Sequence, residues 1–89
     1  MATLFVRHRV RDYAVWRKGY DAHQPKVRED SGSDATVHQS VDDEHDITVT
    51  VEFHDRKAAE KMKTSNELRN AMKGAGVEGT PQIWITETR

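Results

Sequence analysis

A chain of 89 residues makes one domain, and a domain of this size buries only roughly 60–65% of the surface that its unfolded form exposes, so its core is thin. With 35% hydrophobic and 33% charged residues, some apolar area is expected to be buried against a second subunit, while the net charge of −1 argues against nucleic acid, which demands a basic face. The absence of Cys excludes disulfides, thiolate metal sites and cysteine nucleophiles; no apolar run nears the ~20 residues of a membrane span, and no signal peptide precedes the first strand-like run, so the cytoplasm is the expected compartment.

Thr3–Val10 alternates as a strand, with Leu4, Val6, His8 and Val10 on one side and Phe5, Arg7 and Arg9 on the other. Asp12 has the character of a helix N-cap. In the helix after it, Tyr13, Trp16, Tyr20 and His23 form one stripe until Pro25, which is expected to break or kink the run. A short continuation through Lys26–Asp30 adds Val27 to the buried side, and Gly32 in Ser31-Gly32-Ser33 suits a left-handed stop. Ala35–Val41 is a second strand and Asp42–His45 an acidic turn in which His45 is expected to be solvated.

The third strand, Asp46–His54, carries the clearest pattern in the chain: Ile47, Val49, Val51 and Phe53 against Thr48, Thr50, Glu52 and His54. A hairpin pairing Val41 with Ile47 sets Val37 opposite Val51 and His38 opposite Thr50. Asp55 opens a helix with Ala58, Ala59 and Met62 inward. Thr64-Ser65-Asn66-Glu67 has the form of a capping box, so a further helical segment begins near Ser65, with Leu68, Ala71 and Met72 inward. Gly74, Gly76 and Gly79 end it, and Thr80-Pro81 leads into a last strand with Ile83 and Ile85 on one side and Trp84 on the other.

The order β-α-β-β-α-β is that of an α+β, ferredoxin-like domain spanning residues 1–89, a four-stranded sheet with both helices on one face. The aliphatic set, Val41 included, must meet the helices, since each such side chain gains roughly 1.5–3 kcal/mol from burial. The opposite face holds Phe5, Arg7, Arg9, Thr36, His38, Ser40, Thr48, Thr50, Glu52, His54 and Trp84. Two large aromatics on an open face call for a cover, and a second subunit packing sheet against sheet, which closes a dimeric α/β barrel, supplies one. Arg7 and Glu52 could pair there, which matters because an unpaired charge under an interface is costly. The plain alternative is a solvated face.

Several stretches resemble a known family. Val6-x-His8, Asp12-Tyr13-x-x-Trp16, Val51-Glu52-Phe53, Ser65-x-Glu67-Leu68-Arg69 and Gly76-Val77-x-Gly79-x-Pro81-x-Ile83 are similar to the small dimeric α/β-barrel proteins, among them antibiotic biosynthesis monooxygenase-like domains and proteins labelled cyclases. The resemblance implies a homodimer built on the sheet faces and a pocket between sheet and helices. Some members oxidise aromatic polyketides without a cofactor, others degrade or bind haem, and many have no assigned activity. It carries over no catalytic signature.

His8 is the candidate catalytic residue. Its place on the apolar side points it at the first helix, where an imidazole could orient or deprotonate a substrate; the alternative is a core histidine hydrogen-bonded to Tyr or backbone. Trp16 and Tyr20 would wall a pocket for a flat aromatic molecule, with His23 at its mouth, or simply pack as core and helix end. The candidate dimer face is Phe5, Arg7, His38, Thr50, Glu52, His54 and Trp84. His38, Glu52 and His54 have metal-ligand types, but His54 falls near Asp34 in this register, roughly 13 Å along the strand from His38 at ~3.3 Å per residue, too far to share an ion. No metal or cofactor is assigned. The functions in competition are a cofactor-independent oxygenase or cyclase on an aromatic molecule, a non-catalytic homo-oligomeric module, and a haem protein. A cavity above ~300 Å³ between sheet and helices separates the first from the second.

Overall fold

The computed structural model describes the backbone of residues 1–31 and 35–89, and within them every side chain except those of His23, Gln24, Lys26, Val27, Asp30, Ser31, Glu67 and Ala71. The elements run β1 (Ala2–Val10), α1 (Tyr13–Ser31), β2 (Thr36–Gln39), β3 (Asp46–Phe53), α2 (Arg56–Lys63), α3 (Asn66–Gly74) and β4 (Val77–Glu87). The strands form one antiparallel sheet in the order β2-β3-β1-β4. This is the ferredoxin-like α+β arrangement, with the second helical segment divided into α2 and α3.

Alternation decides which face is dry. Leu4, Val6, Val10, Ile47, Val49, Val51 and Phe53 are buried, together with Trp16 of α1, Ala59 and Met62 of α2, and Met72 of α3. Val37, Ile83 and Ile85 are half-buried against this cluster.

Local chemistry fixes the helix ends. The Asp12 carboxylate accepts from the amides of Ala14 and Val15 at 2.9 and 3.3 Å, and that of Asp55 accepts from Lys57 at 2.6 Å. The two residues between α2 and α3 divide the work. The Thr64 hydroxyl donates back to the Glu60 carbonyl, whereas the Ser65 oxygen accepts from the Leu68 amide at 3.3 Å. Ser65, not Thr64, is therefore the cap of α3. Glu67's half of the expected capping box, the burial of Val27 and Ala71, and the Gly32 stop lie outside the described residues.

Four expectations are corrected. Pro25 does not break α1: the expected continuation through Lys26–Asp30 belongs to the same helix, which runs to Ser31; proline withdraws the one amide that would bond the Asp21 carbonyl, and both residues are exposed to water. The β2–β3 register is Val37 opposite Val49 and His38 opposite Thr48, two residues from the expected one, so every side chain keeps its face. β2 stops at Gln39, and Val41 is 99% exposed in the turn. β4 begins at Val77, ahead of Pro81. It tolerates proline because it is an edge strand with an irregular register: Arg7 faces Gln82 and Arg9 faces Glu78, so β4 carries two extra residues opposite His8. Gly79, at φ +71°, supplies the turn.

Truncation of the fully buried Leu4 to Ala is expected to lower unfolding stability by about 2–5 kcal/mol, while Val41→Ala changes it by less than about 0.5 kcal/mol. Urea denaturation of the two variants checks the division. Ser65→Ala is expected to remove about 1 kcal/mol, and Thr64→Ala less.

Candidate functional site

His8 shares the parity of Leu4, Val6 and Val10, so the strand carries it into the interior. It is the buried polar residue of the described chain, 5% exposed. Its ring meets Trp16 edge-on, with centroids 5.4 Å apart, and Trp16 stacks on Tyr20 at 5.1 Å. Tyr13 lies beyond, tilted against Trp16. The spacing of Tyr13, Trp16 and Tyr20 along α1 lays these rings in a row over β1.

Among the described residues, Nδ1 of His8 has no hydrogen-bond partner. A buried polar atom left in this way is costly and invites explanation. Burial pushes the His8 imidazole below the ordinary histidine pKa, with the charge of Asp46 acting weakly the other way. Burial therefore favours the neutral ring, the state in which an imidazole can take a proton.

His8, Trp16 and Tyr20 border a cavity of about 50 Å³ between sheet and helices, floored by Leu4, Val49 and Val51 and closed by Met62 and Met72. Gly19 also borders it; a Cβ there would stand 3.0 Å from the Cβ of Ala75, so glycine is what permits α1 to approach the end of α3 so closely. The cavity is where the sequence places a pocket. Its volume is far below the ~300 Å³ of a small-molecule site and suits one or two waters. The His23 side chain lies outside the described residues.

On the other face Phe5 and Trp84 are register partners, and their rings stack in parallel at 5.1 Å. Trp84 remains 38% exposed. Arg7 does not reach Glu52, which sits opposite Thr3. It forms a two-pronged pair with Asp46, at 3.1 and 2.7 Å, and Arg9 pairs with Asp43. These contacts hold both carboxyls below the usual carboxylate range. His38 Nε2 lies 3.4 Å from the Thr50 hydroxyl. His54 falls just past the end of β3 and is exposed, off the sheet face where alternation had put it. His45 is likewise corrected: it is half-buried, its Nδ1 sits 2.9 Å from the Val10 carbonyl, and its own carbonyl accepts from the Val10 amide. Among the described residues no three metal-ligating side chains gather, and no helix is long and apolar enough to cross a membrane.

No family model matches this sequence, and no match was found among curated proteins. Solved structures do match. An antibiotic biosynthesis monooxygenase superposes with a TM-score of 0.74 at 12% identity, over 100% of this chain and 99% of its own. A Bordetella bronchiseptica protein provisionally named for the same activity gives 0.80 at 15%, over 99% and 96%. SnoaB, a cofactor-independent oxygenase from Streptomyces nogalater, gives 0.72 at 13%, over 99% and 92%. The chain thus has the ferredoxin-like fold of the antibiotic biosynthesis monooxygenase-like proteins, as its sequence resemblance implied; identities this low speak for the fold alone.

The neutral burial of His8 has a pH signature. The unfolded chain takes up a proton near the ordinary value of 6.5, and the folded chain does so only at lower pH. The contribution is therefore intact above about pH 6.5 and is lost as pH falls towards the depressed folded value. Wild type is expected to lose more stability than His8→Leu between about pH 7.5 and about pH 5.5, measured by urea midpoints.

Proposed function

We propose that this chain is a cytoplasmic, homodimeric α/β-barrel protein that binds an aromatic small molecule beneath its helices and acts on it as a cofactor-independent oxygenase or cyclase. The observation that carries this reading is the unpartnered, buried His8 Nδ1 at the wall of an aromatic-lined cavity. A neutral imidazole in that position would accept a proton from a phenol or from a carbon next to a carbonyl, given a target within ~3 Å. The deprotonated ring is the electron-rich form, and it is the form reactive enough to dispense with a cofactor. Trp16 and Tyr20 would hold the substrate plane, and His23 would stand at the mouth. A fold shared with a cofactor-independent oxygenase is consistent with this chemistry.

The second subunit is proposed on the outer sheet face, over Phe5, Arg7, His38, Thr50, Glu52 and Trp84, with His54 at its border. The Phe5–Trp84 stack offers a flat apolar centre, and the Asp46 partner means that covering Arg7 would not strand its charge.

One observation favours a different reading. A cavity of about 50 Å³ has no room for an aromatic ring, still less a porphyrin, unless α1 and α3 part. In this second reading the chain is a homo-oligomeric module whose interior is simply packed shut.

Two measurements separate these readings. In a Trp84→Phe background, where Trp16 is the remaining tryptophan, titration with 2-naphthol is expected to quench Trp16 fluorescence saturably, and His8→Ala to weaken that response by about tenfold or more, the loss of one buried hydrogen bond. A flat titration in a folded protein leaves the packed module. Light scattering is expected to report about twice the mass of one chain, and Arg7→Glu or Trp84→Ala to lower it; a stable monomer counts against the barrel.

A further inference from the structure

The cavity under α1 leaves another opening unused. Between α3 and the bulged half of β4 lies a cleft of about 350 Å³, bordered by Arg69 and Lys73 above and by Met72, Val77, Pro81 and Ile83 below. This volume, unlike that of the inner cavity, falls within the range of small-molecule sites. Two of the stretches that carry the sequence resemblance meet here: Arg69 closes Ser65-x-Glu67-Leu68-Arg69, and Val77, Pro81 and Ile83 belong to the glycine-rich run after α3.

The charges of the cleft are one-sided. Arg69 and Lys73 are four residues apart on α3 and so share one side of the helix. Both are exposed, and among the described residues neither side chain has an acidic partner. Arg7, Arg9, Arg17 and Arg56 do have one, respectively in Asp46, Asp43, Asp21 and Glu60. Lys73, in the last turn, also suits the helix dipole; Arg69, in mid-helix, gains nothing from that. Below the two cations the floor is apolar: Met72 is buried, Val77 and Ile83 are half-buried, and Pro81 has no amide to donate.

We propose that this cleft binds a small molecule with a flat apolar body and a carboxylate, the body on Met72, Val77 and Ile83 and the carboxylate between Arg69 and Lys73. A guanidinium fork matches the two carboxylate oxygens in one plane, and the ammonium adds a second, adjustable charge. The site stands apart from the His8 cavity, from which Met72 divides it, and it does not depend on the oxygenase reading.

The test is a titration of the full chain with 2-naphthoate, followed by the methyl resonances of Ile83 and Val77 and the indole resonance of Trp16, with naphthalene-2-carboxamide as the uncharged control. Saturable shifts of Ile83 and Val77 are expected with the carboxylate, weakening as salt is raised. The Arg69→Gln, Lys73→Gln double variant is expected to bind it about five- to tenfold more weakly, two exposed charge contacts having been lost, with binding of the carboxamide unchanged. Equal affinity in the double variant, shifts confined to Trp16, or no saturation would overturn the proposal. Because 2-naphthol reports on the inner cavity through Trp16, each site can fail while the other stands.

Discussion

The interior of this protein rests on a single requirement: one side of a four-stranded sheet must be kept from water. Leu4, Val6, Val10, Ile47, Val49, Val51 and Phe53 share that side because successive strand residues alternate. Three helices cover it. The same alternation delivers His8 into the interior, since it occupies a position whose neighbours two residues away are both aliphatic. The ring is there by parity, and parity alone gives it no partner. That is how a titratable group comes to lie among Trp16, Tyr20 and apolar side chains with a nitrogen unbonded.

The outer side is organised by the same rule with opposite content. Phe5 and Trp84 face each other across neighbouring strands and stack, so their exposed area is one continuous plate rather than two isolated rings. At the end of the sheet, Asp43 and Asp46 neutralise Arg9 and Arg7 within the chain. The surface is thus apolar at one point and internally balanced at another, a combination that lowers the desolvation cost of covering it.

Much of this was legible from residue order. Parity is robust: the β2–β3 register differs by two residues from the one read from the pattern, and no side chain changes face as a result. Asp12 and Asp55 announced their helices because a carboxylate before an amphipathic run has few other uses. What eluded the sequence depended on where a strand stops or on partners distant along the chain. Val41 continues the apolar alternation of β2, and nothing in its own neighbourhood says that pairing ends at Gln39. The residue pattern matches Arg7 to Glu52, but the register sets Arg7 opposite Thr48, four residues from Glu52 and two from Asp46, and the shorter reach decides its partner. His45 looked solvated among acids, but the turn folds it back on Val10. The volume of the inner cavity depends on how closely α1 can approach α3, which a pattern of residue types does not encode; a hydrogen in place of a methyl at Gly19 sets it.

The irregular stretch of β4 has a consequence for how copies of this chain can meet. An outermost strand normally offers a ladder of free donors and acceptors, a template on which another polypeptide can add itself and begin uncontrolled polymerisation. Here the proline lacks a donor, and the two surplus residues throw the remaining groups out of step. At the opposite margin β2 is only four residues long. Neither margin offers a long, regular seam for ribbon-like growth.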